Sequence, residues 1–149
     1  MSNNRLIIVR GIPGSGKTTF ANVRFPNCLH LENDMYHVRN GSYEWSAKNQ
    51  DDAIKWCIDM TIISLRRGMD VVVSNTFTKT RYVDTYRRIA DIIGCGFEVY
   101  RMFGRFQNVH GLSESLVENF RSGFEDYSGE LFVTPEITDK KYTISKEDV

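Results

Sequence analysis

Apolar residues fall along this chain in two rhythms. Short continuous runs at 5–10 (RLIIVR), 28–32 (CLHLE), 70–74 (DVVVS) and 97–103 (FEVYRMF) read as strands buried on both faces. Between them the spacing turns helical. Residues 17–25 (KTTFANVRF) can open a first helix. Over about 47–67, Ile54, Cys57, Ile58, Thr61, Ile62 and Leu65 recur at the 3.6-residue period, and Gly68 stops the run. Residues 80–93 place Val83, Tyr86, Ala90 and Ile93 on one side and end at Gly94. A last helix is predicted near 113–127, with Leu116, Val117, Phe120 and Phe124 inward. Ser113 is its N-cap, or Ser115 with Glu118 forms a capping box. The tail after Tyr127 carries LFVT and KYTIS, material for one more strand. Alternating strands and helices predict an α/β fold, a mainly parallel sheet of four to five strands with helices on both faces. In such a sheet ligands bind outside the carboxyl ends of the strands.

Composition narrows the class. The 149 residues, 41% of them apolar, suit one domain with a real core. No apolar run approaches membrane-spanning length, and Arg10 and Gly11 follow LIIV too soon for a secretion signal. Cys28, Cys57 and Cys95 are isolated, fitting neither a disulfide framework nor a zinc site, and are expected as free thiols in a reducing cytoplasm. Net charge is zero, which argues against a protein that coats DNA. The charge is uneven, however: residues 1–29 hold four bases and no acid, and residues 79–105 hold six bases against three acids. A local basic surface for phosphates and solvated helix faces account for this equally well.

The chemistry begins at GIPGSGKTTF, residues 11–20. Gly11, Gly16, Lys17 and Thr18 fit G-x-x-x-x-G-K-[ST], the phosphate-binding loop, set between a strand and a helix as that motif requires. Its backbone N–H groups turn inward on phosphate oxygens, Lys17 reaches the β- and γ-phosphates, and Thr18 offers its hydroxyl to Mg²⁺. The nucleotide-binding set is Gly11, Ile12, Pro13, Gly14, Ser15, Gly16, Lys17, Thr18 and Thr19, with ATP and Mg²⁺ as cofactors.

Two strand ends should emerge beside this loop. Asp34, just past the second strand, is placed either to take a proton from an acceptor hydroxyl or to cap a helix begun by MYHVR. After the third strand, Ser74, Asn75 and Thr76 stand where hydrolytic enzymes often carry a metal-binding Asp. They are polar and uncharged, fit to position water, Mg²⁺ or acceptor, or simply to make a turn. Gly104 and Gly111 bracket a polar stretch suited to a lid at about 104–112, with Arg101, Arg105 and His110 as candidates to close on ATP.

Taken in order, RGIPGSGKTTFA, Asp34-x-Tyr36, GMDVVVSNTFT with YRRIADIIGCGFEV, and QNVHGLSESLVENFRSGFED resemble the kinase module of phage-type polynucleotide 5′-kinases and related zeta-toxin-like P-loop kinases, over roughly residues 5–127. The resemblance implies a P-loop NTPase fold and a single kinase domain over 1–149, with a C-terminal tail from about 128. Asp34 then falls on the general base, Lys17 and Thr18 on the ATP and Mg²⁺ positions, and Asn108 and His110 on the lid. Tyr36, His37, Arg39, Asn75 and Thr76 fall on the acceptor side. Gln107 stands where the lid pattern often has Arg, so Arg105 or Arg121 is expected to supply charge to the moving phosphoryl group. Further departures at Met35, His37, Asn75, Leu112 and Ser113 bear on the acceptor and leave ATP binding intact. The expected function is ATP-dependent phosphorylation of a hydroxyl on a nucleic acid or nucleotide-like acceptor: a polynucleotide 5′ end, or a hydroxymethyl group on a modified DNA base. A small-metabolite kinase and a non-catalytic nucleotide-dependent binding module are the alternatives. The location expected is cytoplasmic, with no membrane contact and no oligomeric state indicated.

Overall fold

A computed structural model describes residues 3–39, 42–43, 46–104, 118, 121–136 and 141–146; the side chains at 39, 42–43 and 47–48 fall outside that description. In chain order the elements are β1 (Arg5–Arg10), α1 (Lys17–Arg24), β2 (Leu29–Leu31), α2 (Asp34–His37), β3 (Val38–Arg39), β4 (Ser42–Tyr43), α3 (Ala47–Arg66), β5 (Val71–Asn75), α4 (Thr80–Ile93), β6 (Gly96–Met102), β7 (Leu131–Pro135) and β8 (Tyr142–Ser145). The main sheet has six strands in the order β2-β5-β1-β6-β7-β8, and β3 pairs with β4 in a separate ribbon. Pairing is parallel from β2 through β7, and β8 is antiparallel to β7.

The strand count exceeds the four to five expected. LFVT and KYTIS form two strands rather than one, with Val133 opposite Ile144. Three of the four β8 residues are exposed, so the segment shows no burial alternation to reveal it. The short elements α2, β3 and β4 also carry too few residues for a period. Residues 118, 121 and 122 are helical, but the chain turns at Gly123, short of the expected end near 127. The capping candidates Ser113 and Ser115 lie outside the described residues.

β1 is the centre of the fold. Leu6, Ile7, Ile8 and Val9 are all fully buried. At about 1.5–3 kcal/mol for each such side chain, they anchor the strand and so the loop that follows it. Leu6 and Ile8 join Val71, Val73 and Val99 against Cys57 and Leu65 of α3 and Val83, Tyr86, Ile89 and Ala90 of α4. Ile7 and Val9 point the other way, with Val72, Tyr100, Met102 and Val133, against Phe20 and Ala21 of α1 and Phe25. Two cores, one on each sheet face, account for the unbroken apolar runs Leu6–Val9 and Val71–Val73 of the central strands. β1 has β5 on one side and β6 on the other, so the strand order reverses at its carboxyl end. That is where a crevice opens in a sheet of this kind.

Candidate active site at the carboxyl ends of the strands

The loop of residues 11–16 leaves β1 at this crevice. Gly14 and Gly16 adopt φ of 78° and 91°, the left-handed region that side chains disfavour. Gly11 is required for a different reason: a Cβ there would lie 2.5 Å from Ser15 Oγ and 3.0 Å from Met102 Cβ. Gly16 occupies the N-cap of α1 and supplies no side-chain cap, so the free N–H groups of the first turn face the loop. Lys17 folds back and donates to the carbonyl of Ile12 at 3.0 Å. The loop is also tied to the neighbouring strand, Gly11 N–H donating to Thr76 O at 3.2 Å.

Opposite the loop lies an acidic side. Parallel register sets Leu31 beside Val73, which brings the next residues, Glu32 and Ser74, together. Glu32 Oε1 accepts from Thr18 Oγ1 and, at 2.8 Å, from Ser74 Oγ. His30 Nε2 lies 3.1 Å from the same oxygen and 2.6 Å from Ser74 Oγ. Burial alone would raise the Glu32 carboxyl, but hydrogen bonds from His30, Thr18 and Ser74 outweigh it and hold the group below its usual range. Lys17 moves the other way. Burial pulls its ammonium down to about 8, against the opposing pull of Glu32 and then Asp34. Asp34 therefore lies within electrostatic reach of Lys17.

Asp34 is the first residue of α2, and Asn33 holds the N-cap position without a side-chain cap bond. The helix is positioned from below by an amide pair. Asn33 N–H donates to Asn75 Oδ1 at 2.9 Å, and Asn75 Nδ2 donates to Asn33 Oδ1 at 3.2 Å.

The other side of the loop is held by a clasp. Arg10, fully buried, pairs with Glu130 at 2.8 Å and donates from Nε and Nη2 to the carbonyl of Phe77. Phe77 presents that carbonyl from φ 47°, a conformation costing about 1–2 kcal/mol in a residue with a side chain. Arg101 pairs with Asp126 and lies 3.4 Å from Glu130, and both guanidinium groups sit over the Phe124 ring. Between this clasp and the loop is a cleft of about 180 Å³ lined by Gly11, Ile12, Arg101, Met102, Phe103, Gly104, Arg121 and Phe124.

The structure thus gathers Lys17, Thr18 and Asp34 at one end of the sheet, with Asn75 ending the adjoining strand, Thr76 just past it, and Arg121, paired with Glu118, lining the cleft. Three expectations change. The capping position belongs to Asn33, not Asp34. Asn75 spends its amide on Asn33 rather than presenting it to an acceptor. His37 is buried, its Nε2 2.6 Å from Gln50 Oε1, and so turns toward α3 rather than toward a substrate phosphate. Tyr36 is half-buried, 6.2 Å from the Trp56 ring. Arg101, a lid candidate, is engaged in the clasp. Arg105, Gln107, Asn108, His110, Leu112 and most of the proposed lid lie outside the described residues, as does the side chain of Arg39. Sequence reading passed over Glu32, although it stands two residues before Asp34 in LENDMY, and over Arg10 and Glu130, whose separation of 120 residues leaves no local signal.

A model of the AAA domain family matches residues 6–102, from β1 to the end of β6. An uncharacterized protein of Pasteurella multocida (strain Pm70) is 27% identical over 132 residues, covering 75% of this chain and 72% of that protein. A protein of Autographa californica nuclear polyhedrosis virus assigned as a bifunctional polynucleotide kinase/RNA ligase is 28% identical over 157 residues, covering 95% of this chain and 21% of its own length. In fold, a chain of the Pnkp1/Rnl/Hen1 RNA repair complex superposes with a TM-score of 0.67 at 17% identity, over 83% of this chain and 45% of that one. The chain therefore spans about a fifth of the viral protein and less than half of the repair-complex chain.

Proposed function

We propose that this chain, which belongs to the AAA domain family and is a small P-loop kinase, moves the γ-phosphate of ATP to a hydroxyl of a nucleic acid or nucleotide-like acceptor. The observation that carries this reading is Asp34 at the head of α2, close enough to Lys17 to oppose the loss of its charge. In this reading Lys17 is the donor-side cation and Asp34 the acceptor-side acid, within electrostatic reach of each other. Lys17 and the loop N–H groups hold the β- and γ-phosphates, and the cleft beside Ile12, Phe103 and Phe124 takes the nucleoside. Asp34 receives the proton of the attacking hydroxyl as the new oxygen–phosphorus bond forms and the bond to ADP breaks. The exposed hydroxyl of Thr18, a hard oxygen donor on the first turn of α1, suits Mg²⁺, which when bound offsets phosphate charge. The likeness to the viral polynucleotide kinase/RNA ligase favours a polynucleotide as acceptor, with a modified DNA base as the second acceptor to be tried.

The test is a transfer screen with γ-labelled ATP against 5′-hydroxyl DNA, 5′-hydroxyl RNA, duplex DNA carrying 5-hydroxymethyluracil, and free nucleosides. Label should move to one of these acceptors. Asp34→Asn should lower transfer about 100-fold or more while ADP binding persists. Label released only as inorganic phosphate, or passed only to small metabolites, would overturn the acceptor assignment; near-normal transfer by Asp34→Asn would overturn the role of Asp34.

A further inference from the structure

The end of β5, where a metal-binding acid is expected in many phosphate-loop enzymes, holds Ser74, Asn75 and Thr76 and no carboxylate. An acid stands nevertheless at the same depth, one strand over. We propose that Glu32, at the end of β2, is the protein carboxylate that holds the nucleotide-bound Mg²⁺ together with Thr18, an inference that rests on the phosphate-loop reading above.

Three observations carry it. Thr18 Oγ1 donates to Glu32 Oε1, so the hydroxyl and the carboxylate already share one small volume beside the loop. Ser74 Oγ and His30 Nε2 bind that same Oε1, at 2.8 and 3.1 Å. Oε2 has no hydrogen-bond donor among the described residues, and the side chain is 18% exposed. One oxygen is thus held by three groups while the other has no protein donor among the described residues. No Lys or Arg pairs with Glu32 among the described residues, and only His30 lies within ion-pair distance. This matters most when nucleotide arrives. A half-buried carboxylate within hydrogen-bond distance of the phosphate-loop threonine repels the phosphates of ADP or ATP unless a cation stands between them. A hard divalent ion bound through one or two protein oxygens plus phosphate oxygens and water is how Mg²⁺ is usually held at such sites. Glu32 and Thr18 supply that number. Ser74 and His30 are then positioning residues for the carboxylate, and the acid absent from β5 is replaced by one that β5 orients through a serine.

The arrangement predicts a change of sign that a purely structural carboxylate would not produce. ADP binding is measured by calorimetry in EDTA and in Mg²⁺, for wild type, Glu32→Gln and Ser74→Ala. In wild type Mg²⁺ should tighten ADP binding. In Glu32→Gln, metal-free ADP should bind as tightly as in wild type or more so, because a repulsive charge is gone. The Mg²⁺ enhancement should fall by at least the roughly 10–100-fold that loss of an outer-shell partner costs a metal site. Ser74→Ala should lose about tenfold of the enhancement. An electron spin resonance titration with Mn²⁺ in the presence of ADP reads the same loss directly as weaker ion binding. If Glu32→Gln fails to fold, Glu32→Asp decides: it keeps the charge but withdraws it by one methylene, so the enhancement should drop while metal-free binding holds. An unchanged enhancement in whichever variant folds overturns the assignment of Glu32 alone. Absence of ADP binding by wild type in both conditions overturns the phosphate-loop reading as well.

Discussion

Lys17 is the residue whose chemistry is most altered by the fold. Burial lowers its ammonium to about 8 even though Glu32 and Asp34 oppose the change. Phosphates favour the charged form. Below pH 8 the amine already carries its proton, and ADP affinity should be flat. Above pH 8 the free protein must take up a proton on binding, so affinity should fall with rising pH, approaching about tenfold per unit. Calorimetry of metal-free ADP binding between pH 7 and 9.5, in two buffers of different ionisation enthalpy, counts that proton. Lys17→Met should bind weakly and show no uptake; a wild-type affinity independent of pH would remove Lys17 from the phosphates. The motif announces this lysine, since a phosphate loop without it has no mobile charge. It does not announce the lowered pKa, which comes from burial in the fold and is opposed by two acids 15 and 17 residues further on.

At the scale of elements, α4 shows how a helix can take its cap from a distant segment. Lys79 occupies the N-cap and makes no side-chain cap bond. Glu125 Oε1 instead accepts from Thr80 N–H at 2.8 Å, while Glu125 N–H donates to Thr78 O at 2.9 Å and Lys79 Nζ to Gly123 O at 3.1 Å. The Thr80 N–H is the main cause holding the Glu125 carboxyl below its ordinary value. A carboxyl depressed in the folded state contributes stability above its unfolded pKa of about 4.3 and loses it as pH falls through the folded value. Glu125→Gln should therefore lower Tm at pH 7, and the gap to wild type should close as the pH is taken below about 4. A gap constant from pH 7 to 3 would mean that the charge is not what Thr80 binds. The extent of α4 was legible from Val83, Tyr86 and Ala90 and from Gly94. Its cap was not, because the capping residue comes 45 positions after the helix start.

Across the whole molecule, the Arg10–Glu130 pair joins the strand that leads into the phosphate loop to the segment that leads into β7. Both side chains are essentially excluded from water. Removing Glu130 leaves Arg10 charged and without its carboxylate in the interior, which typically costs about 3–5 kcal/mol, whereas replacing both with apolar residues of similar size is often near neutral. Urea denaturation of Glu130→Ala should show a loss of that order. The double variant Arg10→Met with Glu130→Leu should recover most of it. A loss below about 1 kcal/mol in the single variant would show that the clasp is dispensable. The pair also explains why the tail is part of the fold: β7 lies parallel to β6, and Val133 completes the core beneath α1.

The order of strands and helices, the two-sided burial of the central strands and the placing of a phosphate loop after β1 all follow from local sequence. Each rests on a period or a spacing within about twenty residues, and the continuous apolar runs Leu6–Val9 of β1 and Val71–Val73 of β5 admit no other place than mid-sheet. What the tertiary structure decided is every relation that register creates. Leu31 beside Val73 sets Glu32 against Ser74 and Thr18; Asn75 faces Asn33 and fixes the start of α2; His37 turns inward to Gln50. The last two strands were expected as one for the same reason, since a mostly exposed β8 is held by its ladder to β7 and not by its own pattern. A residue's type shows which chemistry it can perform. Which partner it meets depends on how strands far apart in sequence are aligned, and a shift of one residue would put each of these side chains on the other face of the sheet.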